Sequence, residues 1–267
     1  MMNLLTHKIA MVTSSTRGIG KACAELLARE GAKVYLAVRR LEAGREVAAE
    51  IAANGGQADV CYFDADKPET FRSSVEEVIA KEGRIDVLVN NYGSTDVRRD
   101  FDLLHTKTED FLSIVNDNLK SVYDTCQAAV ASMAKTGGGS IINIASVGGK
   151  YPDMYRISYG VAKSSIIFLS QNIATQYARS GVRCNCILPG FIATDAAMNN
   201  MSQEFLSTFL KTVPLGRAGV PSDIANACLY LASDLSSFVT GEALPVAGGF
   251  GLPSPMYSHY GDMQGMG

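Results

Sequence analysis

The sequence has no excess of basic residues. In 267 residues, 24 Lys and Arg stand against 27 Asp and Glu, for a formal net charge of −3. A chain without a basic surplus has little to hold a phosphate backbone, so nucleic-acid binding is not expected. No apolar run approaches the roughly 20 residues that a membrane-spanning helix needs, and no membrane insertion is expected. The opening "MMNLLTHKIA" lacks the basic n-region, long apolar core and small-residue cleavage site of a signal peptide, so a cytoplasmic protein is expected. Histidine is scarce: His7, His105 and His259 are too scattered to form a cluster, and no metal is expected. The six cysteines are even in number, but a chain this long without an export signal is not a disulfide framework. Cys184 and Cys186 share one face of the strand-like "VRCNCILP". With no further ligands at metal-binding spacing, they read as buried thiols.

Hydrophobic residues make up 47% of the chain, enough for a sizeable core. They are arranged as strand then helix, repeated. Apolar strand-like runs fall at 8–13, 32–38, 58–65, 85–91, 140–146, 182–188 and 242–248. Helical spacing falls at 20–31, 41–53, 68–83, 108–134, 156–179 and 221–232. Strands alternating with helices imply parallel pairing, right-handed crossovers and a sheet covered on both faces. The expected fold is α/β: a single Rossmann-type, doubly wound domain over 1–250 with a seven-stranded parallel sheet. The tail 251–267 is rich in Gly and Pro, has no hydrophobic period, and reads as coil.

The turn after the first strand is "TSSTRGIG", residues 13–20. Gly18 and Gly20 open the next helix, whose free amides and positive dipole end suit a pyrophosphate. Taken alone, two glycines fit a plain tight turn as well as a cofactor loop. The basic residues sharpen the reading. Strand two ends "LAVRR", with Val38 where an NAD site usually places an acid for the ribose hydroxyl. Arg39 follows, and Arg17 lies in the glycine turn. Two guanidinium groups there would pair with a 2′-phosphate, so NADP(H) is the expected cofactor. Arg40 reads as a solvated surface charge.

The segment "SIINIASVGGKYPDMYRISYGVAKSS" carries the chemistry. Tyr159 and Lys163 are four apart on one helix face. Ser146 ends a strand thirteen residues before Tyr159. Carbonyl reduction needs a hydride donor, an acid for the oxygen and a donor to polarise the C=O. A free tyrosine titrates near pH 10, and an ammonium or an oxidised nicotinamide ring beside one favours the phenolate. Such a tyrosine can act as acid or base near neutral pH. A serine hydroxyl can bond the oxygen where negative charge develops.

With these residues the chain resembles the short-chain dehydrogenase/reductase family from about 7 to 250. The family's T-G-x-x-x-G-x-G appears with Ser14 in place of the first glycine, and its N-N-A-G appears as "NNYG" with Tyr92 in place of alanine. The "PGFIAT" after strand six and the Asn118 of "NDNLKSVY" also match. The resemblance implies a catalytic set of Asn118, Ser146, Tyr159 and Lys163. It implies a cofactor site of Thr13, Ser15, Arg17, Gly18, Ile19, Gly20, Arg39, Asp64, Asn90, Tyr159, Lys163, Ile192 and Thr194. Within that set Asp64 would lie at the adenine, or serve only as a strand-end cap. Asn90 would fix the backbone and touch the cofactor. Lys163 would bind the nicotinamide-ribose hydroxyls, and Asn118 would hold a relay water. Ile192, through its backbone, and Thr194 would hold the carboxamide. Serine at position 14 leaves the site intact if it adopts an ordinary φ. Tyr92 lies at the nicotinamide end or is packing.

Within the family, the Ser14 turn, "NNYG", the 213–234 block and the "VAGGF" ending resemble bacterial 7α-hydroxysteroid dehydrogenases that act on bile acids. The stretch 195–212 lies where the family places its substrate lid, and its Met, Phe and Leu suit a large flat substrate, though equally a helix packed on the core. The readings are therefore three: an NADP(H)-dependent oxidoreductase of a steroid hydroxyl, a 3-oxoacyl-thioester or general ketone reductase, or a non-catalytic NADP(H)-sensing scaffold. The resemblance also implies a homotetramer.

Overall fold

A computed structural model describes residues 3–199, 202–252 and Tyr257. Seven parallel strands run β1 (Ile9–Thr13), β2 (Lys33–Val38), β3 (Gln57–Tyr62), β4 (Val87–Asn90), β5 (Gly139–Ile144), β6 (Val182–Pro189) and β7 (Ala243–Val246). Their spatial order is β3-β2-β1-β4-β5-β6-β7. The expected fold class therefore holds. Chain order reverses between β1 and β4, which pair at Val12 and Val89. The crevice beyond the carboxyl ends of such a pair is where ligands bind in doubly wound sheets.

The period-2 alternation of side chains builds a core on each face. Ala10, Val12, Val34, Leu36, Val87 and Val89 face one layer, with α1 (Gly18–Arg29), α2 (Leu41–Ala53) and α8 (Pro221–Ala232). Met11, Tyr35, Ala37, Leu88, Cys184 and Cys186 face the other, with α3 (Glu69–Glu82), α4 (Thr108–Met133) and α5 (Ile157–Tyr177). The two cysteines share a face as the strand period requires, and all six are free and buried. Burial pushes the Cys126 thiol up to about 12 and the Cys186 thiol up to about 11.

Several ends follow from local chemistry. Gly83 closes α3 at φ +76, a left-handed position that glycine takes without a Cβ clash. Pro221 opens α8, and Asp223 accepts from the Val220 amide at 2.8 Å. Other ends differ from the sequence expectation. The first helix begins at Gly18, two residues before the apolar period starts. β3 stops at Tyr62, because the chain turns at Asp64, whose carbonyl accepts from the Lys67 amide at 3.0 Å. β3 is an edge strand and shows alternating exposure rather than the continuous burial of the central strands. Among the described residues no helix is long and apolar enough to cross a membrane. The coil expected for 251–267 lies, apart from Gly251, Leu252 and Tyr257, outside the described residues, as does His259.

Candidate active site

Beyond β1, the turn is tied to β4 by polar bonds. The Thr13 hydroxyl accepts from the Asn91 and Tyr92 amides at 2.9 and 3.0 Å. The Asn91 side chain donates to the Thr13 and Ser14 carbonyls, each at 3.1 Å. Ser15 is fully buried and donates to the Val12 carbonyl. Gly20 is forced by space: a Cβ there would lie 2.4 Å from the Ser14 carbonyl oxygen and 2.5 Å from Asn91 Nδ2. Ser14 does not keep an ordinary φ. It stands at +53, in the left-handed region, because the chain must reverse there while Ser14 N still reaches the Ala37 carbonyl at 2.8 Å.

Helix α1 then starts with no side-chain cap and no acid in its first turn. Its first amides, from Gly18, Ile19 and Gly20, therefore face the crevice without an intrahelical partner. An anionic pyrophosphate fits that end by charge, and the absent Cβ groups let it approach closely. Thr194 stands opposite: its methyl group is 3.3 Å from where a Cβ on Gly18 would sit. Ile192 is held by a parallel bridge to Gly219, and Thr194 caps a short helix, α6 (Asp195–Met198), by accepting from the Ala197 amide. The structure thus brings Thr194, some 175 residues along the chain, to the first turn, with Ile192 two residues before it.

At the other side of the crevice sits a buried polar knot. Asn118, on α4, is fully buried. Its Oδ1 accepts from the Ser94 amide at 3.1 Å, and its Nδ2 donates to the Ser94 and Ile114 carbonyls at 2.9 Å. Lys163, on α5, is 3% exposed and donates to the Ile144 carbonyl at 3.2 Å. Gly93 lies between them, since a Cβ there would be 2.7 Å from Lys163 Nζ and 3.3 Å from Asn118 Oδ1. The Lys163 ammonium is 5.6 Å from the centre of the half-buried Tyr159 ring. Ser146 does not end β5. It stands two residues beyond, where it caps a one-turn 3₁₀ helix at Val147–Gly149. Its Oγ accepts from the Gly148 amide at 3.1 Å, which leaves the hydroxyl proton free to be donated. Gly149 packs that turn onto α5, 2.7 Å from Lys163 C for a Cβ.

The remaining residues are placed less directly. Asn90 spends its whole side chain inside: Thr125 donates to it at 2.8 Å, and it donates to Asn143 at 2.9 Å and to Cys126 Sγ at 3.3 Å. Only its backbone remains for a ligand. Asp64 accepts from the Tyr62 hydroxyl at 2.8 Å and the Asp66 amide at 3.1 Å. Burial pushes its carboxyl up, but these bonds outweigh it and hold the group below the ordinary carboxylate range. Arg17 is exposed, and Arg39 pairs with exposed Asp66 at 3.2 Å. Tyr92 packs on Phe63, ring centres 5.9 Å apart. Two features escaped sequence reasoning. Asn91 was hidden behind its neighbour in the Asn-Asn pair. An aromatic series runs Phe191, Phe209, Phe250, Tyr151, with centres 5.9, 5.5 and 5.9 Å apart. It joins the end of β6, helix α7 (Gln203–Leu210), the segment after β7 and the loop after Ser146.

The free helix end, the close-approach glycine and the Tyr159–Lys163–Asn118 knot lie on one crevice of a seven-stranded parallel sheet. A family model described as enoyl-(acyl carrier protein) reductase matches residues 13–251. The chain belongs to the short-chain dehydrogenase/reductase family and is an oxidoreductase of CH–OH groups. It is 55% identical, over 259 residues, to the 7α-hydroxysteroid dehydrogenase of Clostridium sardiniense, a match covering 97% of this chain and 99% of that one. It is 39% identical to the 3-oxoacyl-acyl-carrier-protein reductase of Chlamydia trachomatis, over 93% of this chain and 99% of that one. A solved 7α-hydroxysteroid dehydrogenase complexed with NADH and 7-oxo glycochenodeoxycholic acid superposes with a TM-score of 0.87 at 33% identity, covering 93% of this chain and 96% of that one.

Proposed function

We propose that the protein is an NADP(H)-dependent 7α-hydroxysteroid dehydrogenase acting on bile acids in the cytoplasm. The observation that carries the reading is the interlocked geometry of Asn118, Lys163 and Tyr159, in a chain 55% identical to an enzyme of that name. Bound at the open end of α1, the nicotinamide dinucleotide would supply or accept the hydride. The backbone of Gly18, Ile19 and Gly20 would hold its pyrophosphate, with Thr13 and Ser15 fixing the turn. Ile192 and Thr194 would hold the carboxamide end. Arg17 and Arg39 would take the 2′-phosphate. The Arg39–Asp66 pair is exposed on both sides, and such pairs are weak, so a phosphate could take Asp66's place at small cost.

The chain's own residues manage the proton. Tyr159 would exchange it with the substrate oxygen, and the Lys163 ammonium would stabilise negative charge on the phenol oxygen. Ser146, its acceptor side engaged by Gly148, would donate to the substrate oxygen as charge develops there. Asn118, fixed by Ser94, would hold the water through which Lys163 is re-protonated. The Phe191, Phe209, Phe250 and Tyr151 series offers the apolar wall that a steroid body needs, with 195–212 as its lid; Asn200 and Met201 of that stretch lie outside the described residues.

The exposed side chains Leu112 and Tyr123 on α4 and Phe168 on α5 fit a second copy of the chain, consistent with a homotetramer that sedimentation would size. The deciding assay sets cholate and chenodeoxycholate beside an acetoacetyl thioester, each with NADP(H) and NAD(H). Turnover of the 7α-hydroxyl with NADP preferred supports the proposal. Turnover of the thioester alone moves it to the ketone-reductase reading. Tyr159→Phe should lose at least about 10³-fold in kcat while NADPH binding stays within threefold. Near-normal turnover would remove Tyr159 from the chemistry.

A further inference from the structure

We infer that Asp100 is a positioning residue that holds Tyr159 through its backbone, an inference that rests on the catalytic reading of Tyr159 above. The 21-residue helix α5 begins without a cap of its own. Arg156 occupies the N-cap position at φ +65, and its side chain bonds to Asp153 rather than capping the helix. The first three amides of a helix have no intrahelical acceptor and must find one elsewhere. Here all three are met by two residues some 57 positions upstream. Ile157 N donates to the Phe101 carbonyl at 3.1 Å. Ser158 N and Tyr159 N donate to the two carboxylate oxygens of Asp100, each at 2.9 Å. One oxygen therefore bears directly on the backbone of the residue assigned to proton transfer.

Asp100 is 1% exposed, and among the described residues no Lys, Arg or His pairs with it. A buried carboxylate without a cation is costly unless hydrogen bonds replace its water. Two amides at the positive end of a long helix do so. A serine or threonine at position 156 could have capped the helix locally and without burying a charge. The remote cap adds what a local one cannot: it fixes α5 relative to the loop before α4.

That loop is itself braced. The Arg99 and Asp100 amides both donate to the Asp96 carbonyl at 3.0 Å, and Phe101 N donates to Thr106 Oγ1 at 2.9 Å. The Arg99 guanidinium spans Asp96 and Asp110, the latter in the first turn of α4. Ser94, at the loop's start, holds Asn118 from both sides. Residues 94–101 thus form a strut with Asn118 at one end and Tyr159 at the other. This strut braces the two beside the direct packing of α4 on α5, and reaction rates are sensitive to misplacement on the ångström scale. The Ser158 hydroxyl, fully buried beside the cap, has no partner among the described residues and contributes nothing to it.

The test uses the full chain and whichever secondary alcohol it turns over. Asp100→Ala should lower kcat at least tenfold while the KM for the dinucleotide stays within threefold. Asp100→Asn, which keeps one good acceptor, should recover most of that loss. A fall smaller than tenfold, a loss of dinucleotide affinity in step with kcat, or an Asn variant no better than Ala would each overturn the positioning role. Should Asp100→Ala not fold, Asp100→Ser replaces it. Its single oxygen should leave kcat at least threefold down, and parent-like kcat would reject the inference. Tyr159→Phe is measured alongside. If it is inactive while Asp100→Ala is normal, only the positioning role fails; if it is active, the catalytic reading beneath it fails.

Discussion

The two sides of the crevice are built differently. On the Tyr159 side every assigned group but Tyr159 and Ser146 is buried, and each is held by partners from another element: Asn118 by Ser94, Lys163 by the Ile144 carbonyl, the start of α5 by Asp100. On the β1–β2 side the buried side chains, Thr13 and Ser15, bond only to backbone of the turn and its neighbours, and the side chains assigned to cofactor choice, Arg17 and Arg39, stand in solvent. Proton transfer demands fixed geometry, whereas recognition of a phosphate by guanidinium groups relies on charge and tolerates motion. The difference teaches that substitutions on one side should act through position and on the other through charge.

The largest effect should come from disturbing the buried side with the smallest possible change. Gly93→Ala adds one methyl group 2.7 Å from Lys163 Nζ, with Asn118 Oδ1 close behind, so the ammonium must move. Displacement on this scale should cost about 10- to 100-fold in kcat, with the KM for the dinucleotide little changed. Parent-like kcat would show that the knot is looser than its packing implies. On the exposed side, Arg39→Ala should lower kcat/KM for NADP about tenfold, the value of one charge-assisted bond of about 1.5 kcal/mol, and leave NAD within threefold. Equal losses for both cofactors would mean that Arg39 does not read the phosphate. The smallest effect lies at Ser14, whose φ of +53 suits glycine better. Ser14→Gly should stabilise the fold by about 0.5–1 kcal/mol and raise Tm by about 2 °C, with kcat unchanged. A lower Tm would mean that the serine side chain supports the turn.

Much of this comparison was legible in the sequence, for physical reasons. Periodicity exposed the seven strands and the long helices because burial on one or both faces dictates it. Tyr159 and Lys163 could be placed together because a helix fixes the distance between positions four apart. What resisted reading was tertiary. Asp100 is one acid in the polar loop "STDVRRDFD", and nothing local distinguishes it from Asp96 or Asp102. Its role appears only when a helix 57 residues on docks against it. The φ of Ser14 depends on the strand that holds its amide, and the commitment of Asn90 depends on Thr125 and Asn143, which only packing brings near. Phe209 and Phe250 lie in segments with no shared pattern and meet only in space.

The burial of all six thiols has a practical consequence. With burial also holding the Cys126 and Cys186 thiols out of their reactive form, the unmodified chain is a silent background for thiol-specific dyes. A single cysteine introduced on the solvent face of α7, at the 56%-exposed Phe205 for instance, would be the only site a dye could label quickly. Its fluorescence would then time the movement of that helix during turnover, with no native residue first having to be removed.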